Sequence, residues 1–260
     1  MLLAIDVGNT NTVFALHDGT DFVGEWRCNT ESVRTADQYF VWLSQLMEHN
    51  GLHTSDIEDV VISNVAPRVL FNLRVFCDRY IGVRPLVVGK GECRLGVDVR
   101  VDNPAEVGAD RLVNTVAAYE KYGPNLIVVD FGTATTFDVV GHDGAYVGGV
   151  IAPGVNLSIE ALKMAAAHLP NIDVTMPQHV VGTNTVACMQ SGVFWGYVSL
   201  IEGVCQRIAT EKEREMTVIA TGGLSPLFAR GTSVIRHVDD ELTMRGLVLI
   251  HSRNGPDTIR

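Results

Sequence analysis

The sequence predicts an α/β protein built as two duplicated half-domains, each a mixed sheet flanked by helices. The first observation behind this is a repeat. "LLAIDVGNTNTVFAL" (2–16) and "LIVVDFGTATTFDVV" (126–140) each carry an apolar run, then Asp, any residue, Gly and a set of small polar side chains. Asp6 aligns with Asp130, Gly8 with Gly132 and Thr12 with Thr136, 124 residues apart in a chain of 260. The second observation is order. Each copy opens a strand–turn–strand–hairpin–strand pattern that continues into helix, so the duplication is one of architecture and not of a short motif. The expected division is 1–115 and 116–260.

Residues 2–7 form an apolar run up to Asp6, as in a buried strand. Gly8 to Thr12 reads as a turn and Val13 to Leu16 as the second strand. "HDGT" (17–20) is a hairpin turn leading to a third strand over Phe22 to Arg27. Thr35 to Asn50 has helical periodicity, with Tyr39, Phe40, Leu43, Leu46 and Met47 on one face and Gly51 as the stop. Asp59 to Pro67 is a strand followed by a helix to about Tyr80, and Arg84 to Gly89 is a further short strand. Asp110 to Tyr122 is a helix with Leu112, Val113, Val116 and Tyr119 as its stripe, ended by Gly123.

The second half repeats the series. A strand runs to Asp130, another spans Thr136 to Val140, "GHDG" is the hairpin, and a third strand lies near Ala145 to Val150. "APGVNLSIEALKMAAAHLP" is a turn into a helix. Thr183, Asn184 and Thr185 offer an N-cap for the next helix. In that helix Gly192 and Gly196, four residues apart, suggest close packing against another helix, within the chain or across a dimer. "VIATGGLSP" (218–226) is an apolar strand followed by a Gly pair that would let backbone lie flat against a ring or sugar.

Composition narrows the function. The chain is 47% apolar and 19% charged, enough for a full core, and its formal net charge of −10 argues against nucleic acid as a partner. No apolar run is long enough to span a bilayer. Met1 leads straight into a strand, with no basic leader or cleavage site. The five cysteines (Cys28, Cys77, Cys93, Cys188, Cys205) are scattered and lack CxxC spacing, as expected of reduced thiols in the cytoplasm. The eight histidines are dispersed and form no metal-ligand cluster with cysteine.

The repeated motif has a chemical logic. An Asp at the end of a buried strand sits at the sheet's carboxyl edge, where α/β folds bind ligands. Gly8 allows a tight turn, and Asn9, Thr10, Asn11 and Thr12 supply small polar donors. Such a turn can cradle phosphate oxygens, and the carboxylate can face them through a divalent cation. Two copies could hold different phosphates of one nucleotide. A bare β-turn with an Asx cap would explain Gly8 and Asn9, but not a carboxylate at the buried end of both strands, where it costs several kcal/mol if unpaired. In "EVGADR" (106–111), Asp110 at a helix N-terminus reads first as an N-cap. A carboxylate there could also accept a hydroxyl proton, with Arg111 binding a substrate carboxylate or the transferring phosphate.

Taken together, "DVGNTNT", "DNPAEVGADR", "DFGTATTFD", "GGVIAPG", "NTVACMQSG" and "ATGGL" resemble the type III pantothenate kinases, within the actin-like ATPase (ribonuclease H-like) superfamily of acetate and sugar kinases and heat-shock 70 chaperones. The resemblance runs from residue 3 to about residue 247. It implies ATP-dependent phosphorylation of pantothenate to 4'-phosphopantothenate, the first step of coenzyme A synthesis, by a cytoplasmic homodimer. It implies ATP contacts at Asp6, Val7, Gly8, Asn9, Thr10, Asn11, Thr12, Val13, Thr133, Gly222 and Gly223, with Asp6 helping to hold Mg²⁺ beside the phosphates. It implies Asp110 as general base, with Gly108, Ala109, Arg111 and Thr185 also contacting pantothenate, and Asp130 as ligand of a monovalent cation, potassium or ammonium. His168 is a further candidate for the pantothenate pocket. Where many members carry Tyr two residues before the Asn-Pro pair, this chain has Val101, so the resemblance implies that one hydroxyl contact to pantothenate would be missing. The alternatives are a nucleotide-binding regulatory relative and a sugar or acetate kinase; the latter are generally longer chains with extra substrate subdomains.

Overall fold

A computed structural model describes residues 1–91, 93–166 and 169–255. In chain order the elements are β1 (Leu2–Val7), β2 (Asn11–His17), β3 (Phe22–Asn29), α1 (Ala36–His49), β4 (Asp59–Asn64), α2 (Pro67–Phe76), β5 (Leu86–Val87) and α3 (Ala109–Tyr122). They continue with β6 (Leu126–Phe131), β7 (Ala134–Val140), β8 (Tyr146–Pro153), α4 (Val155–Ala165), α5 (Thr185–Glu211), β9 (Thr217–Thr221), α6 (Ser225–Ala229), β10 (Ile235–Val238) and α7 (Leu242–Asn254). Two five-stranded sheets result, ordered β3-β2-β1-β4-β5 and β10-β9-β6-β7-β8. In each, three antiparallel strands form a meander and the first of them pairs in parallel with the strand that follows a helix. The duplication expected from the sequence is therefore present in the topology.

Among the described residues the compact units are Met1–Glu120 with 242–255, and Lys121–Glu241. The sequence suggested 1–115 and 116–260; the last helix makes the difference. On the first sheet, Leu3, Ile5 and Val7 pack with Tyr39, Leu43 and Met47 of α1 and Leu73 and Phe76 of α2. Alternate residues of a strand face opposite sides, and Leu2 and Ala4 pack instead with Val113 and Val116 of α3 and Leu247 and Ile250 of α7. The two helices approach closely. A Cβ on Gly246 would lie 2.4 Å from the Val113 carbonyl oxygen, so only glycine permits this crossing. Asn254 anchors the end of α7 by exchanging hydrogen bonds with the backbone of Arg94, at 2.8 and 2.9 Å.

The second sheet buries Ile127, Val129, Phe131, Phe137 and Val139 against Phe194, Tyr197, Val198 and Ile201 of α5. Phe228 of α6 stacks at 5.0 Å on Phe131 and at 5.4 Å on Phe194, which locks the segment after the Gly pair onto the sheet. Asn184 caps α5, accepting the Ala187 N–H at 2.9 Å. Among the described residues, Gly192 and Gly196 do not pack against another helix. They are exposed, and a Cβ on either would meet nothing within 4 Å. His168 lies outside the described residues.

Candidate active site

The first hairpin is built by β1, a three-residue turn (Gly8 to Thr10) and β2. The Gly8 N–H donates to the Asn11 carbonyl at 3.0 Å, and Val7 faces Thr12 and Asp6 faces Val13 across the ladder. A Cβ on Gly8 would crowd the Asn11 oxygen at 3.1 Å. Asn9, Thr10 and Asn11 are exposed at the tip. Thr12 is different from what the sequence suggested. It is fully buried, and its hydroxyl is 2.9 Å from that of Thr30, so it braces the turn and offers no side-chain donor to a ligand. Asp6 shares the strand face of Leu2 and Ala4, the face covered by α3 and α7.

The N-terminus of α3 reaches the same sheet edge. Gly108 lies beside Val65, 3.5 Å from a Cβ built on it, and the Val65 N–H donates to the Val7 carbonyl at 3.0 Å. The helix begins at Ala109, so Asp110 is a first-turn residue. Its Oδ1 accepts the Arg111 N–H at 2.8 Å. A Cβ on Gly108 would stand 2.5 Å from that same oxygen, so the glycine leaves the carboxylate its room. Burial pushes the Asp110 carboxyl up from the ordinary aspartate range, and the N–H and guanidinium of Arg111 pull back against it. The result is a proton acceptor made more basic than a surface carboxylate. Gly108, two residues before Asp110, thus lies at the sheet edge that carries Asp6 and the first hairpin.

The second unit gathers the other set. Asp130 pairs with Thr136 on β7 and with Thr221 on β9, whose end leads into Gly222 and Gly223. Here the turn is one residue shorter: the Gly132 N–H donates to the Ala134 carbonyl at 3.1 Å, and Phe131 faces Thr135. The structural counterpart of Thr12 is therefore Thr135, not Thr136, and both are fully buried. Thr133 is exposed at the tip. Gly222 has φ +87°, and a Cβ there would lie 2.7 Å from the Phe131 carbonyl oxygen and 2.8 Å from Asp130 Oδ1. The Phe131 carbonyl oxygen and Asp130 Oδ1 thus both lie close beside this glycine. Thr185, exposed, is the first residue of α5 and stands on a separate element.

The sequence missed the residues that hold the second turn. A Cβ on Gly154 would lie 2.1 Å from the Thr133 carbonyl, so β8 ends directly on the turn. Tyr197 donates to the Pro153 carbonyl at 2.8 Å and accepts from Ser158 at 2.6 Å, which fixes that end. "APG" was the available signal, but the contact partner of Gly154, Thr133, lies 21 residues earlier. Among the described residues no group of three or more His, Cys, Asp or Glu side chains is poised to hold a metal. None of their helices is long and apolar enough to cross a membrane, and all five cysteines are free.

Paired meanders, each with an Asp closing its first strand and a tight polar turn after it, make a fold that this chain shares with solved structures. The solved activator of 2-hydroxyisocaproyl-CoA dehydratase from Clostridium difficile, with bound ADPNP, has the same fold: TM-score 0.53 at 12% identity, covering 95% of this chain and 91% of that one. The profile of the type III pantothenate kinases matches residues 2–207. Type III pantothenate kinases of Dinoroseobacter shibae and of a Ruegeria species are each 65% identical over 254 residues, covering 98% of this chain and 99% and 97% of theirs. The chain belongs to the type III pantothenate kinase family.

Proposed function

We propose that this chain transfers the γ-phosphoryl group of ATP to the terminal hydroxyl of pantothenate, giving 4'-phosphopantothenate and ADP. The observation that carries the reading is Asp110. It is held in the first turn of α3 at the sheet edge that bears the first hairpin, and burial raises its basicity. In the reaction the bond between the γ-phosphorus and the β,γ-bridging oxygen breaks and one to the hydroxyl oxygen forms. The hydroxyl proton goes to Asp110.

The exposed tip of the first hairpin, with Val7, Gly8 and Val13 flanking it, binds the ATP phosphates through its N–H groups and side chains. Asp6, a carboxylate beside those phosphates, fits the hard-oxygen preference of Mg²⁺, which offsets phosphate charge when bound. In the second unit Thr133, Gly222 and Gly223 serve ATP, and Asp130 with its neighbouring carbonyl oxygen suits potassium or ammonium. Gly108, Ala109, Arg111 and Thr185 serve pantothenate, Arg111 matching its carboxylate. Val101 brings no hydroxyl to this task. A cytoplasmic setting accords with the free thiols.

Homodimerisation is part of the reading. Ile151 (65% exposed) on β8, Met164 (88%) on α4 and Val181 (80%) before α5 leave large apolar side chains open, and Gly192 and Gly196 leave α5 bare beside them in sequence. Exposed apolar side chains mark an interaction surface where they form one contiguous patch. Sedimentation at micromolar concentration is expected to give a dimer, and Gly192→Trp to give a monomer. A wild-type monomer with full activity contradicts this. The acceptor is tested by offering pantothenate, a hexose and acetate with ATP and Mg²⁺ and weighing the products. Phosphopantothenate alone is expected; a phosphorylated hexose or acetyl phosphate in its place sinks the assignment.

A further inference from the structure

The two copies of the hairpin are braced at the same topological position by different chemistry. Thr12 faces Cys28 on β3, and its counterpart Thr135 faces Ala152 on β8. Two residues further on, just past the ends of those third strands, stand Thr30 and Gly154. Gly154 packs its bare backbone on the shorter second turn. The first turn is longer, and Thr30 spans the gap with a side chain.

Thr30 touches the first turn three times. Its N–H donates to the Thr10 carbonyl at 2.8 Å, its hydroxyl donates to the Gly8 carbonyl at 2.8 Å, and the same oxygen lies 2.9 Å from the Thr12 hydroxyl. A threonine has one hydroxyl proton, and Thr30 gives it to Gly8. Thr12 must therefore donate to Thr30. The chain of bonds runs from the buried Thr12 through Thr30 to Gly8, one residue before the exposed tip. In the second copy no partner for the buried Thr135 hydroxyl is found among the described residues, because glycine stands where Thr30 does in the first.

We propose that Thr30 is a positioning residue for the ATP phosphates: its hydroxyl fixes the carbonyls of the first turn so that the N–H groups at the tip are aimed outward before ATP arrives. This rests on the reading that the first hairpin holds those phosphates. Pre-organised donors bind without the cost of ordering them, so the consequence falls on ATP.

The test compares wild type, Thr30→Val and Thr30→Ser by calorimetric titration with ATP–Mg²⁺ and by steady-state kinetics with both substrates. Valine keeps the shape and loses the hydroxyl; Thr30→Ala serves if valine does not fold. The expected result is ATP affinity weakened about tenfold in the valine variant, with a parallel rise in KM for ATP, KM for pantothenate unchanged and serine restoring wild-type values. A purely structural hydroxyl would lower the melting temperature and leave ATP affinity alone, and that result overturns the proposal. Equal weakening toward both substrates also overturns it. Wild-type protein that binds ATP yet does not phosphorylate pantothenate sinks the functional reading instead, while the calorimetric comparison still decides the role of Thr30.

Discussion

Asp110→Asn is expected to lower the rate of phosphoryl transfer by roughly 10²–10⁴-fold while leaving ATP affinity near wild type. Asparagine keeps the shape and can still accept the Arg111 N–H, but it cannot take the substrate proton. The pH dependence supplies a second reading of the same residue. Burial raises the Asp110 carboxyl above the ordinary aspartate range. A base works ionised, so kcat/KM should fall as the pH drops through that raised value, at higher pH than a surface aspartate would give. Arg111 opposes the rise, so Arg111→Gln should move the acid limb to still higher pH. The sign for stability is opposite. A raised folded-state pKa favours folding at low pH and that benefit is lost as pH rises through it. Asp110→Asn removes the cost of the buried charge, so at neutral pH the variant should melt no lower than wild type. A variant that loses activity because it unfolds would contradict this account of Asp110.

Gly222→Ala is expected to have the second-largest effect. At φ +87° an L side chain is strained by about 1–2 kcal/mol before any contact is counted. The new methyl would also lie 2.7 Å from the Phe131 carbonyl oxygen and 2.8 Å from Asp130 Oδ1. The first is backbone of a central strand and cannot yield cheaply, so the turn after β9 must move. ATP affinity should fall about tenfold or more, activation by potassium should weaken, and the melting temperature should drop. Gly223→Ala is the contrast, because a Cβ there meets nothing within 4 Å and should leave the melting temperature near wild type. Equal melting temperatures for the two alanine variants would refute the steric account.

What was legible in the sequence was whatever depends on neighbours along the chain. Alternation and apolar runs marked β1 to β4 and β6 to β9, and Thr35, Gly51, Gly123 and Asn184 marked helix ends because caps are local chemistry. The paired Asp residues stood out because a carboxylate closing an apolar strand needs a reason. What escaped was long-range. Nothing near Leu242 says that α7 returns to β1, because the reason is the Gly246 crossing on Val113. Thr12 was aligned with Thr136 by counting residues, and the structure aligns it with Thr135 because the second turn is a residue shorter. The roles of Thr30 and Gly154 depend on that shortening, which only the strand register reveals.

That the two copies have diverged to serve one reaction is the central claim, and pantothenate phosphorylation measured with potassium exchanged for sodium, in wild type and in Asp130→Asn, tests it most directly. Wild type should turn over pantothenate with a clear preference for potassium, and Asp130→Asn should lose both the preference and most of the rate. Wild-type turnover that is equal in the two salts, or a mutant that keeps the preference, would mean that the second copy of the motif does not hold the cation.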